Sequence, residues 1–129
     1  MKTAELNGLA LDYAVTLIEN PDALKYGVDD WRQRRKYETK NGEFLFRWAS
    51  SWAQSGPIIE QSCIALTPNG TSREPWIAEG PEHSYEAGTV TATNRVTGGT
   101  PLIAAMRCYV ASKLGDEIDI PTELMEGRQ

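Results

Sequence analysis

The sequence predicts an α+β domain, a small antiparallel sheet of three to five strands packed with two or three helices. Three observations predict it. A helical apolar period opens the chain, short β-rich runs separated by turn residues fill its middle, and a nearly all-apolar run with clear caps stands near its end. The length, 129 residues, suits a single domain over residues 1–129.

In the first element, Leu6, Leu9, Ala10, Tyr13, Ala14, Leu17 and Ile18 recur at the spacing of one helical face. Thr3 can cap it, Glu5 suits the positive end of its dipole, and Asn20-Pro21-Asp22 ends it. Gly8 falls inside this helix, at a cost of roughly 1 kcal/mol relative to alanine. From Ala23 to Gln33 the pattern weakens to loop, with one helical turn around Asp29 to Arg34. Lys36–Thr39 and Glu43–Trp48 then flank Asn41-Gly42, a pair suited to the positive φ angles of a tight hairpin. Phe44, Phe46 and Trp48 share one face of that second strand.

Ser50 or Ser51 can cap the next helix, which carries Trp52, Ala53, Ile58 and Ile59. Pro57 leaves two readings: a kink there, or a fresh start with Gly56-Pro57 in the first turn. Cys63–Thr67 reads as a strand, Pro68-Asn69-Gly70 as a turn, and Pro75–Glu79 as the antiparallel partner. Between Gly80 and Gly99 the signal fades, although Thr89–Val96 can form a strand. Thr100 then caps the last helix, Pro101 takes its favoured first position, and Gly115 supplies a left-handed stop. Leucine, isoleucine, alanine, methionine and valine leave little polar surface from Leu102 to Leu114, so this helix belongs in a core or an interface. Ile118 and Ile120 alternate with acids, which suggests a short edge strand ending at Pro121.

Composition narrows the function classes. Hydrophobic residues make up 40% and charged residues 24%, which excludes collagenous and disordered chains. No apolar run approaches the roughly 18 residues of a membrane span. Met1–Leu6 lacks the apolar stretch of a secretory signal, so the chain is expected to stay where it is made. A net charge of −5 argues against general nucleic-acid binding, which needs a basic face. The charge is uneven: Arg32, Arg34, Arg35, Lys36 and Lys40 cluster, whereas Asp116, Glu117, Asp119, Glu123 and Glu126 make the last segment acidic. Such asymmetry pairs within a chain or between subunits.

No metal or cofactor motif is present. Cys63 and Cys108 are far apart, outside any CxxC or Cys/His spacing, and are expected as two buried free thiols, with a disulfide as the alternative. Glu82-His83-Ser84 is not a triad, because adjacent residues rarely reach triad geometry, and His83 is expected on a surface loop. Gly98-Gly99-Thr100-Pro101 can present amides and a hydroxyl to a phosphate, but it lacks the P-loop lysine and an ordinary capping loop explains it. Arg107, on an otherwise apolar helix, must snorkel or pair with an acid.

The tryptophans carry the binding hypothesis. Trp31, Trp48, Trp52 and Trp76 are a large aromatic share for this length, and core packing explains one or two of them. A solvent-facing Trp48 or Trp52 beside Arg34, Arg35 or Arg47 would suit a planar anion or a protein hot spot. The candidate contact residues are therefore Arg34, Arg35, Arg47, Trp48, Trp52, Trp76, Thr100 and Arg107. No catalytic residue is assigned.

Three blocks carry a family resemblance. Trp52-Ala53-Gln54-Ser55-Gly56-Pro57-Ile58-Ile59-Glu60 and the long run from Thr100-Pro101-Leu102 to Gly115-Asp116-Glu117 resemble the NinX-like bacteriophage proteins. Glu5-Leu6 and Ala10–Val15 are similar to how those proteins begin. The resemblance implies a phage accessory protein in the cytoplasm of an infected bacterium, with no assigned activity. A looser likeness to small phage domains implies a helix–sheet–helix sandwich. The expected function is non-enzymatic binding of a host or phage protein, with a homo-oligomer as a further possibility. The alternative is a nucleotide-like small-molecule ligand.

Overall fold

Hydrophobic patterning and turn chemistry place four α-helices and three strands among the described residues. The computed structural model describes residues 1–35, 46–70, 73–86 and 89–124, and the side chains of these except at 35, 81–86 and 89–93. In order they are α1 (Gly8–Glu19), α2 (Val28–Arg35), α3 (Trp52–Gln61), β1 (Ala65–Pro68), β2 (Trp76–Glu86), β3 (Thr89–Gly98) and α4 (Pro101–Leu114). The fold is α+β with a three-stranded antiparallel sheet in the order β1-β2-β3.

α4 is the spine, and its limits follow from its ends. The Thr100 hydroxyl accepts from the Ile103 N–H at 3.1 Å, Pro101 opens the first turn, and Gly115 at φ +89° stops the last. Ala104, Ala105, Met106, Cys108 and Val110 are fully buried between them. One side of α4 rests on all three strands, and α1 and α3 pack onto α4 in turn. The layers among the described residues thus run sheet, α4, α1. The α+β class and the strand count are as the sequence predicts, and so apolar a helix as α4 is covered on more than one side. Towards the far end of α4 the Tyr109 hydroxyl donates to the Glu19 carboxylate, tying α4 to the end of α1.

The closest helix–sheet approach explains Gly98. A Cβ placed there would stand 2.5 Å from the Ala104 backbone nitrogen and 2.8 Å from its Cα. Neither atom can retreat without moving α4. Gly98→Ala is expected to lower stability by about 1–3 kcal/mol, read from urea denaturation. A loss inside the ordinary surface range of roughly 0.5 kcal/mol would contradict this packing.

α1 starts later and turns differently from the expected helix. Asn7 caps it through its side chain, Gly8 is its first residue at φ +50°, and Thr3–Glu5 form a separate 3-10 turn. Gly8 therefore eases the helix entry and does not interrupt an interior. The fully buried side runs through Leu11, Ala14 and Val15 and reaches Asp12 and Thr16, whereas Leu9, Tyr13, Leu17 and Ile18 are half-buried. The rotation arises because α1 is covered by α4 and also by Trp31 and the turn at 46–50.

Three boundaries correct the sequence reading. The segment after Asn20 holds a 3-10 turn at Pro21–Leu24 and then two full turns of α2. α3 begins from the Ser51 cap and runs unbroken through Pro57. Ala53, whose carbonyl loses the Pro57 N–H as donor, is exposed, as is Pro57 itself. The strand expected from Cys63 begins at Ala65. Cys63 instead takes φ +53° and closes α3: its N–H bonds the Glu60 carbonyl at 3.2 Å, and the Ile64 N–H bonds Ile59 at 3.1 Å. That is a Schellman stop with cysteine at the usual glycine position.

β2 and β3 form a long hairpin across the stretch where sequence signal fades. Its register shifts between Gly80 and His83, a bulge at Pro81, which has no N–H for the ladder. His83 thus lies on a strand and not a loop, with its side chain outside the described residues. Ile118 and Ile120 form no edge strand. The Ile118 N–H bonds the Met1 carbonyl at 2.9 Å, and an isolated bridge joins Lys2 to Glu117. Both isoleucines are buried with Leu124. The Asn41-Gly42 hairpin expectation lies largely outside the described residues. Its end does not: Phe46–Ser50 is a turn, with the Ser50 and Ser51 N–H groups on the Arg47 carbonyl.

Candidate functional site

The turn at Phe46–Ser50 is held by a buried polar cluster on α1. Thr16 Oγ1 donates to the Asp12 carbonyl at 2.8 Å and accepts from two indole nitrogens, Trp31 Nε1 at 3.2 Å and Trp48 Nε1 at 3.0 Å. Asp12 Oδ1 accepts the Ala49 N–H at 2.8 Å, and Ser55 Oγ donates to the Trp48 carbonyl at 2.6 Å. Asp12, Thr16 and Ser55 are buried. Buried polar groups must be paired, and pairing them here fixes one backbone path.

That fixed path forms one wall of a cleft of about 400 Å³. Ala49, Ser50 and Trp52 face the residues that open α4, Thr100 to Ile103. α3 and α4 therefore both begin at this cleft. Ser51 caps the first through the Gln54 N–H, and Thr100 caps the second. Trp52 is 54% exposed, in contrast to the buried Trp31. An indole left in water at a rigid apolar cleft is unusual, because this side chain gains more from burial than almost any other.

Two of the candidate residues, Trp52 and Thr100, thus line one cleft. Trp48 lies behind them, half-buried, with its indole N–H committed to Thr16. Arg47 is half-buried in the same turn, its backbone N–H donating to Gln54 Oε1 at 2.7 Å. The others stand elsewhere. Arg34 pairs with Asp30 one turn back on α2 at 3.3 Å. Arg35 ends α2, and its side chain lies outside the described residues. Trp76 opens β2, half-buried against the core, paired with Pro68 and Gly98.

Arg107 is 6% exposed and is a structural clamp. Its Nε donates to the Leu6 carbonyl at 2.7 Å, and its Nη1 donates to Glu74 Oε2 and the Thr97 carbonyl, both at 2.9 Å. The Thr97 hydroxyl completes the cluster by donating to Glu74 Oε1 at 2.5 Å. The Thr97 hydroxyl, then the Arg107 guanidinium, hold the Glu74 carboxyl below the usual range despite partial burial.

The thiols divide. Cys108 is buried, donates to the Gly80 carbonyl at 3.3 Å, and is pushed up to about 11 by burial, then by Glu79. A thiol so protonated is a poor nucleophile. Cys63, expected to be buried, is exposed because the helix stop carries it to the surface. Among the described residues no group of three His, Cys, Asp or Glu side chains is placed to hold a metal. A second cleft, about 440 Å³, brings Lys2 and Arg95 near Asp116 and Glu117. None of the tryptophans lines it.

Sequence reasoning missed the Asp12–Thr16 cluster. The available signal was two polar residues four apart on α1, both beside the apolar stripe, where a helical carboxylate and hydroxyl share a face.

No curated protein gives a significant match to the chain. The family model described as Bacteriophage P22, NinX matches residues 2–113, from the Lys2 bridge through nearly all of α4. The match spans most of the chain and takes in both walls of the Trp52 cleft, and the chain belongs to the Bacteriophage P22 NinX family.

Proposed function

We infer that the protein is a non-enzymatic phage accessory protein that binds a host or phage protein through the Trp52 cleft, in the cytoplasm of the infected bacterium. The observation that carries this reading is the exposed Trp52 indole beside a wall that the Asp12–Thr16 cluster holds rigid. Tryptophan is among the residues most enriched at binding hot spots, and a preorganised anchor loses little entropy on association. Family membership supports the phage context. Among the described residues no helix is long and apolar enough to cross a membrane.

The nucleotide-like alternative needs a cation over or beside the indole. The residues around the cleft are alanine, serine, tryptophan, threonine, proline, leucine and isoleucine, and the arginine candidates are not among them. An apolar floor with two hydroxyls suits a protein side chain better than a phosphate-bearing ring. The protein partner is therefore the favoured reading.

Trp52→Ala separates binding from folding. Its thermal stability should stay within about 0.5 kcal/mol of the parent, because the side chain is exposed. Affinity for a partner captured from infected cells should fall about 30-fold, the effect of losing a hot-spot residue worth roughly 2 kcal/mol. Equal capture of the same partner by parent and variant would overturn the assignment of the cleft.

A further inference from the structure

The two outer strands of the sheet are guarded unequally. β1 is four residues long and ends in Pro68. Shortness and proline are two ordinary means of keeping an exposed edge from pairing. β3 is ten residues long, Thr89–Gly98, with no proline or lysine and one charged residue, Arg95. Threonine and valine, both β-formers, supply most of the rest. Among the described residues β2 is its only sheet neighbour. Over residues 89–93, short of Asn94, Arg95 and Val96, which line the second cleft with Lys2, Thr3 and Ala4, its outer row of N–H and C=O groups is therefore a template for another extended chain.

We propose that β3 pairs with β3 of a second copy of this chain, antiparallel about a two-fold axis, to give one continuous sheet in the order β1-β2-β3-β3-β2-β1. Three features select a second copy over a foreign strand. A copy brings an edge of the same length and the same lack of protection. With a single charge on the strand, any two-fold register not centred on Arg95 sets no like charges opposite each other, whereas most foreign strands carry charges that must be matched. The assembly also closes: the new outer edges are the short, proline-ended β1 and, past it, residues 80–86 of β2, where Pro81 and the register shift interrupt the ladder, so growth stops at two. This surface is separate from the Trp52 cleft, and the two proposals stand or fall independently.

Light scattering from low micromolar to near-millimolar protein should show mass rising towards twice the 14.3 kDa of one chain and no further. Amide exchange along β3 should slow as the dimer fills. Along an antiparallel edge strand successive N–H groups point alternately to the neighbour and outward. Of the adjacent variants Thr91→Pro and Ala92→Pro, one should break the β2–β3 ladder and lower the melting temperature. The other should keep the monomer's melting temperature and weaken association at least about tenfold. Trp52→Ala should dimerise as the parent does. A single-chain mass at every concentration overturns the proposal. So does a dimer whose β3 exchange does not depend on concentration, growth beyond two chains, or a folded pair of proline variants that both associate normally.

Discussion

Trp31→Ala is expected to lower the stability of the fold by about 3–5 kcal/mol, a large share of the roughly 5–15 kcal/mol that holds a domain together. Trp31 is fully buried, the largest of the completely enclosed side chains. Tyr13 meets it edge-on at 5.7 Å with the planes at 87°, and Phe46 lies tilted against it at 6.5 Å. Removing the indole opens a cavity between α1, α2 and the turn at 46–50, where three elements meet without regular pairing. It also removes one of the two indole N–H donors to Thr16 Oγ1. Trp31→Phe retains most of the apolar volume and loses the N–H, so it should cost much less, on the order of 1 kcal/mol plus imperfect packing. Urea denaturation followed by circular dichroism measures both. A loss under about 1 kcal/mol for the alanine variant would mean that α2 is not anchored by this residue.

Trp31 also shows where sequence ceases to be informative. α2 reads Val-Asp-Asp-Trp-Arg-Gln-Arg-Arg, with no apolar period. A lone tryptophan among charges gives no sign of burial, because its cover comes from α1 and from Phe46, fifteen residues on in the chain. α4 is the opposite case. Its cap, its first-turn proline and its glycine stop are local devices, so both ends were readable from neighbouring residues alone. The β2–β3 hairpin failed to signal for a third reason. Threonine and glycine blur the apolar alternation, and the bulge at Pro81 breaks its phase, so that no single period runs through the strand. The site divides along the same line. That Trp52 and Thr100 begin helices was legible; that the two helices begin side by side was not, since nothing local fixes the distance between chain segments 48 residues apart. The partner of Arg34 was one helical turn away and readable, whereas Glu74 reaches Arg107 across 33 residues.

The Arg107 clamp yields the second large effect and a pH signature. Arg107→Ala should cost about 3 kcal/mol. Most of that comes from the buried Leu6 carbonyl and the half-buried Thr97 carbonyl, which lose the Arg107 donor, and from the missing aliphatic stem. The ion pair contributes less, because the Glu74 side chain is 42% exposed and water screens it. Arg107→Met restores the stem and not the donors, so it should recover part of the loss, and the remainder measures the hydrogen bonds. Acid titration then isolates the charge. Thr97 and Arg107 lower the Glu74 carboxyl in the folded protein relative to the unfolded chain. The stabilisation is accordingly complete above the unfolded value, about 4.3, and is lost as pH falls through the folded one. The parent should lose more stability than Arg107→Met between neutral pH and about pH 3, so the gap between them narrows as Glu74 takes up its proton. The Thr97 hydroxyl remains in the variant and keeps a smaller dependence of the same sign. Parallel pH profiles would show that the guanidinium acts on Glu74 only as a packing group.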